Sequence, residues 1–135
     1  MKKHQLEEEK QIMCIWGAPE TGKSSWVRTH FNEEEMYMKD PSSKWWDGYA
    51  KQPIVWFDEP SDAALTLEQF KVLCDPLNLN GLKVESKGKV IWVNPQTIIF
   101  TSNTHPTGWF KKNLSDYDTQ AIMRRFTRFR TCYRG

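Results

Sequence analysis

The sequence predicts an α/β domain with a mainly parallel sheet, on three observations. Short β-rich apolar runs alternate with helix-like or turn-rich segments, the first run leads through a glycine-bounded turn into a helix-like stretch, and two later runs end in acidic or polar side chains. The runs lie at residues 12–16, 54–57, 90–93 and 97–101. Between the second and third, Thr66-Leu67-Glu68-Gln69 has the capping-box pattern, Leu67, Phe70 and Leu73 follow at near-helical spacing, and Asp75-Pro76 ends the helix. A further helix is expected over 118–126. With 135 residues, one domain with one core is expected over 11–135. Residues 1–10, with Lys2-Lys3 and Glu7-Glu8-Glu9-Lys10, read as a solvated helix or linker.

Composition narrows the function classes. Nineteen basic against 17 acidic residues give a net charge of +2, so any nucleic-acid site has to come from local clustering rather than bulk charge. Cys14, Cys74 and Cys132 are odd in number and far apart, without zinc-site or disulfide-framework spacing, which points to a reducing compartment. No apolar run approaches the roughly 18 residues of a membrane span, and a soluble intracellular protein without membrane partners is expected. His4, His30 and His105 lack ligand spacing and read as surface or loop residues.

The turn after the first run carries chemistry. Gly17-Ala18-Pro19-Glu20-Thr21-Gly22-Lys23-Ser24 fits G-x-x-x-x-G-K-[ST] and stands between an apolar run and Ser25-Trp26-Val27-Arg28. Glycines let backbone N–H groups curl around phosphate oxygens, the helix N-terminus adds a favourable partial charge, and Lys23 reaches the outer phosphates. Ser24 supplies a hydroxyl for magnesium, and Ser25 closes the binding segment.

Ile54-Val55-Trp56-Phe57-Asp58-Glu59 is an apolar strand ending in two acids, the Walker B pattern. Asp58 would hold magnesium through its water, and Glu59 would orient and deprotonate the attacking water. Thr97-Ile98-Ile99-Phe100-Thr101-Ser102-Asn103 ends in an amide that could contact the terminal phosphate. For Asn103 to reach it from between Lys23 and Asp58, its strand must lie between the P-loop and Walker B strands.

These segments resemble superfamily 3 helicases, and most closely the ATPase domain of circovirus-like replication initiators (Rep). Lys44-Trp45-Trp46-Asp47-Gly48-Tyr49, Leu73-Cys74-Asp75 and Val84-Glu85-Ser86-Lys87-Gly88 carry the resemblance beyond the ATPase segments. It implies a P-loop fold of AAA+ type that uses ATP and Mg2+ and forms a hexameric ring translocating 3′ to 5′ on single-stranded DNA. It also implies a fused endonuclease, absent from this chain, and a host nucleus as the place of action. The family's oligomerisation segment would lie mostly upstream of Met1, with residues 1–10 a possible remnant.

Residues 82–93 resemble the family's DNA-contacting hairpin. Lys87 and Lys89 flank Gly88 at the tip and would grip backbone phosphates, while Trp92 or neighbouring apolar groups hold the hairpin's shape; read alone, the lysines blunt an exposed edge. The resemblance also places an arginine finger at Arg125, with Arg124 the second choice and Arg128 a further phosphate contact. Without that context the same residues form a basic helix face. Trp45 and Trp46 could stack on a base, but packing of a loop onto the sheet is the reading adopted. A small-molecule P-loop kinase and an ATP-dependent assembly module remain the competing classes. Asp58, Glu59 and Asn103 speak against the first, and the intact Lys23, Asp58 and Glu59 do not by themselves establish unwinding.

Overall fold

The chain is described by a computed structural model over residues 9–111 and 113–133. His4 and most of the expected linker over 1–10 lie outside the described residues. The strands are β1 (Gln11–Gly17), β2 (Met36–Lys39), β3 (Ile54–Asp58), β4 (Leu82–Ser86), β5 (Lys89–Val93), β6 (Thr97–Ser102) and β7 (Arg128–Cys132). The helices are α1 (Lys23–His30), α2 (Leu67–Leu73) and α3 (Asp116–Arg124). Five strands form one sheet in the order β2-β3-β6-β1-β7, and every pairing in it is parallel. As the polar strand tips required, β6 lies between β1 and β3. An antiparallel pair, β4 with β5, stands apart as a second sheet.

Strands β1, β3 and β6 are continuously apolar over residues 12–16, 54–57 and 98–100 because both faces of the sheet are covered. On one face Met13, Ile15, Ile54, Trp56 and Ile99 pack with Val27 of α1. On the other, Ile12, Cys14, Val55, Phe57, Ile98 and Phe100 meet Phe70 and Leu73 of α2, Ile122 of α3 and the inner side of the β4–β5 hairpin. Phe100 is the hub of that face, stacked on Phe57 at 4.9 Å and on Trp109 at 5.1 Å between ring centroids.

The expected helix caps hold for α2, where Thr66 and Gln69 satisfy each other's backbone N–H groups. Helix α3 begins two residues before the expected 118, because the Ser115 hydroxyl accepts from the Asp118 N–H at 3.0 Å and fixes the first turn at Asp116. Two strands escaped the sequence reading. Met36-Tyr37-Met38-Lys39 has no apolar alternation of its own and is recruited by the open edge of β3. Arg128 to Cys132 alternates arginine with other residues and pairs with β1.

The 40–49 loop is anchored from beneath by Lys39, which is 1% exposed. Its ammonium donates to the Asp40 carbonyl at 3.0 Å and to the Ser43 carbonyl, and lies 5.5 Å from the Trp46 ring centroid. Trp46 is itself 1% exposed and belongs to the core, whereas Trp45 is 42% exposed, so only the second tryptophan of the pair serves the packing expected of both. Burial lowers the Lys39 pKa from 10.5 to about 8, against the smaller pull of Asp40 and Asp47.

With the folded value lower, the unfolded chain binds more protons between those two values, so this group's contribution to stability improves as pH rises through that window. Lys39→Met removes the titration. The difference in thermal midpoint, wild type minus Lys39→Met, should therefore grow from about pH 7 to about pH 9.5 in a melting series. A constant difference would mean that Lys39 does not titrate in this range.

Candidate functional site

The turn after β1 is shaped by two glycines. Gly17 has φ 149°, and a Cβ there would stand 2.0 Å from the Cys132 carbonyl oxygen, so β7 can close on this turn only because no side chain is present. Gly22, at φ 83°, is the left-handed N-cap of α1 and turns the helix N-terminus toward the loop. Lys23 is buried within the turn. Its ammonium donates to the carbonyls of Gly17 at 3.0 Å and Ala18 at 2.7 Å, and approaches the Thr21 hydroxyl at 3.4 Å.

The parallel register brings the other two strand tips alongside. Thr101 of β6 pairs with Ile15 of β1 on one side and with Asp58 of β3 on the other. A cleft of about 410 Å³ is lined by residues 19–25 together with Asp58, Glu59 and Asn103. The structure thus brings together Pro19, Glu20, Thr21, Gly22, Lys23, Ser24 and Ser25 with both acids and the amide, while Gly17 and Ala18 hold Lys23 from behind. Among the described residues no three His, Cys, Asp or Glu side chains gather as a metal cage. A hydroxyl at Ser24 and a carboxylate at Asp58 are nevertheless oxygen donors of the kind Mg2+ takes when phosphates and waters fill its remaining positions.

Each acid is held by β6. The Thr101 hydroxyl donates to Asp58 Oδ1 at 2.8 Å and accepts from the indole N–H of Trp56 at 2.7 Å, with Thr101 0% exposed. Trp56 and Thr101 lie on the same face of neighbouring strands, which is what lets a buried indole orient a strand-tip carboxylate through one hydroxyl. Glu59 sits at φ 54°, a left-handed backbone that turns its carboxylate back onto the end of β6. There it accepts from the Asn103 N–H at 2.7 Å and the Ser102 hydroxyl at 3.3 Å. Sequence reasoning singled out neither Thr101 nor Trp56; the available signal was a hydroxyl breaking an otherwise apolar run two residues before Asn103.

Arg125 is elsewhere. Its neighbour Thr127 bonds to Ile12 at the entry end of β1, and by strand length the P-loop at the other end is about 20 Å away. The Arg125 guanidinium donates to the Lys71 carbonyl at 3.1 Å and the Ala121 carbonyl at 2.7 Å, joining the ends of α2 and α3, while Arg124 and Arg128 are exposed. None of the three lines the cleft of its own chain.

The hairpin presents Lys87 and Lys89 at an exposed tip, with Gly88 at φ 79° making the turn. Asp47 holds this tip, accepting from the Lys87 N–H at 2.6 Å and the Ser86 hydroxyl at 3.4 Å. Of the two expected holders of the hairpin's shape, the neighbouring apolar groups take that place and Trp92 does not. Opposite Lys83 it falls on the outer face and is 56% exposed, whereas Leu82, Val84 and Val93 take the inner face. No described helix is long and apolar enough to cross a membrane.

A family model described as RNA helicase matches residues 13–104. The replication-associated protein of porcine circovirus 2 is 33% identical over 86% of this chain and 35% of its own length. That of goose circovirus is 32% identical over 88% of the chain and 38% of its own. The replication-associated protein of Chaetoceros protobacilladnavirus 2 is 32% identical over 75% of the chain and 23% of its own. The chain spans well under half the length of each of these relatives.

The hydroxyl between Trp56 and Asp58 yields a stability prediction. Thr101→Val strands a buried indole N–H and should cost about 1–3 kcal/mol in urea unfolding, whereas Thr101→Ser should retain most of the wild-type stability. Equal stability of Thr101→Val and wild type would remove the hydroxyl from its proposed place between the two groups.

Proposed function

The chain belongs to the RNA helicase family, as the superfamily 3 helicase domain of viral replication-associated proteins, and on that footing we propose that it is a magnesium-dependent ATPase moving on single-stranded DNA within a ring of identical copies. The observation that carries the nucleotide half is the cleft in which residues 19–25 meet Asp58, Glu59 and Asn103. Backbone N–H groups of the turn and the N-terminus of α1 receive the phosphates of ATP. Lys23 exchanges its contacts with the Gly17 and Ala18 carbonyls for phosphate oxygens. Ser24, and Asp58 through a water, would hold the metal, which would supply positive charge to offset that of the phosphates. Glu59 takes the proton of the attacking water, and Asn103, on the same strand end that holds Glu59, positions that water or the terminal phosphate.

Lys87 and Lys89, on an exposed tip, suit the phosphates of a single strand in a ring's pore. Arg125 serves a neighbouring copy's ATP only if it leaves the Lys71 and Ala121 carbonyls, while Arg124 reaches solvent without rearrangement. A hexameric ring, a fused endonuclease and action in the host nucleus complete the reading that the family resemblance supports.

Lys23→Ala should lose most ATP binding, while Glu59→Gln should bind ATP yet scarcely hydrolyse it, as read by nucleotide titration and phosphate release. Unchanged affinity in the first variant, or rapid turnover in the second, would overturn those two roles. Lys87→Ala with Lys89→Ala should flatten the salt dependence of single-strand binding by up to about 0.7 in log–log slope per lost contact; an unchanged slope would return the lysines to a solvated edge.

Turnover per chain should rise with protein concentration. The finger is the arginine whose alanine variant is inactive alone but recovers turnover when mixed with Lys23→Ala chains. Recovery with neither Arg125→Ala nor Arg124→Ala, and concentration-independent turnover, would exclude a finger acting between copies at these positions.

A further inference from the structure

The outer face of the hairpin carries a feature that the phosphate-gripping tip does not explain. Trp92, a large apolar ring, is more than half exposed, and it lines a cleft of about 300 Å³ with Tyr49, Lys51, Gln52, Asn94 and Gln96. The volume is at the low end for a ligand site and too small for a duplex. An aromatic ring left in water on a folded surface marks a contact surface when polar groups surround it.

The polar groups here are chemically specific. The Gln52 carbonyl oxygen Oε1 accepts from the Ala50 N–H at 2.7 Å, which leaves its NH₂ as a donor. Asn94 spends its Nδ2 on the Leu79 carbonyl at 3.0 Å, and Gln96 its Nε2 on the Glu9 carbonyl, which leaves the two amide oxygens as acceptors. Tyr49 is fixed by its hydroxyl, which donates to the Gln52 backbone carbonyl at 3.3 Å, and by its ring against Trp46 at 5.7 Å. A wall with amide N–H donors, two amide oxygens as acceptors and an exposed indole matches the edge and the face of a heterocyclic base. A bare phosphate would use neither the ring nor the acceptors.

Charge and spacing extend the match. Lys83 lies directly across the strand from Trp92, Lys51 lines the same cleft, and the tip residue Lys89 is three residues from Trp92 along β5, about 10 Å. A strand gripped at Lys87 and Lys89 therefore passes Trp92 within one or two nucleotides. We propose that the cleft between β5 and the 49–53 segment is a nucleobase site for single-stranded nucleic acid, with Trp92 as its stacking face and Gln52, Asn94 and Gln96 meeting the base edge. The inference rests on the nucleic-acid half of the function proposed above and deepens it: the hairpin holds bases as well as backbone.

The test is equilibrium binding of a fluorescently labelled oligo-dT and of an abasic strand of the same length, measured by anisotropy over a salt series. Trp92→Ala should weaken oligo-dT binding by about tenfold, the scale of one lost base–aromatic stack, with Trp92→Phe close to wild type. The salt slope should stay unchanged because stacking releases no counterions, and binding of the abasic strand should not weaken. Lys87→Ala with Lys89→Ala should behave oppositely, with weaker binding of both strands and a shallower slope. Equal oligo-dT affinity in wild type and Trp92→Ala, or an equal loss on the abasic strand, would overturn the base site while leaving the lysine grip standing. If Trp92→Ala instead lowers the sedimentation coefficient with DNA binding unchanged, the face is a contact between copies. If the wild type binds neither strand, the nucleic-acid reading fails together with the site.

Discussion

Strand β6 lies between β1 and β3 with Thr101 level with Ile15 on one side and Asp58 on the other, and the rest of the site depends on that register. A parallel sheet delivers all its strand ends to one edge, so three sequence segments far apart in the chain arrive at one cleft without any long loop. The register is held by burial on both faces, where a one-residue slip would turn Phe100 out of its stack between Phe57 and Trp109. The polar break in this apolar strand, Thr101, is satisfied by Trp56 and Asp58, both on β3. In a low-dielectric interior such a satisfied chain of hydrogen bonds fixes the direction of the carboxylate more firmly than a solvated contact would.

The same strand ties the cleft to the hairpin. Strand β5 runs through Asn94, Pro95 and Gln96 directly into β6, so the lysine-bearing hairpin and the Asn103 tip are two ends of one continuous segment. Loop 40–49 braces the hairpin from the other side, with Trp46 N–H on the Glu85 carbonyl at 2.9 Å, Lys44 paired with Glu85 at 3.1 Å, and Asp47 on the tip.

Local chemistry was legible in the sequence wherever one segment carried the whole signal. The glycine turn and the Thr66–Gln69 cap follow from short patterns, and the acid pair after β3, which alone reads as a solvated strand end, and the place of β6 follow once the glycine turn is known. What escaped depended on partners remote in sequence. Strands β2 and β7 are strands because neighbouring edges accept them, and neither Met36-Tyr37-Met38-Lys39 nor the arginine alternation of β7 announces that alone. Whether Trp92 or its apolar neighbours hold the hairpin is open in the sequence, and the register that sets Trp92 opposite Lys83 decides for the neighbours. Arg125 looks like a free basic residue in sequence; only the packing of α2 against α3 places two carbonyls within its reach. Trp45 and Trp46 are indistinguishable as neighbours until the loop fold buries one of them.

In the proposed function one nucleotide is held simultaneously by the tips of β1, β3 and β6. Amide NMR of the isotopically labelled chain, titrated with a non-hydrolysable ATP analogue and magnesium, tests this most directly. Amides of residues 17–25, of Asp58 and Glu59, and of Ser102 and Asn103 should shift together along one saturable curve. Shifts confined to the turn after β1, with the ends of β3 and β6 unmoved at saturation, would contradict it.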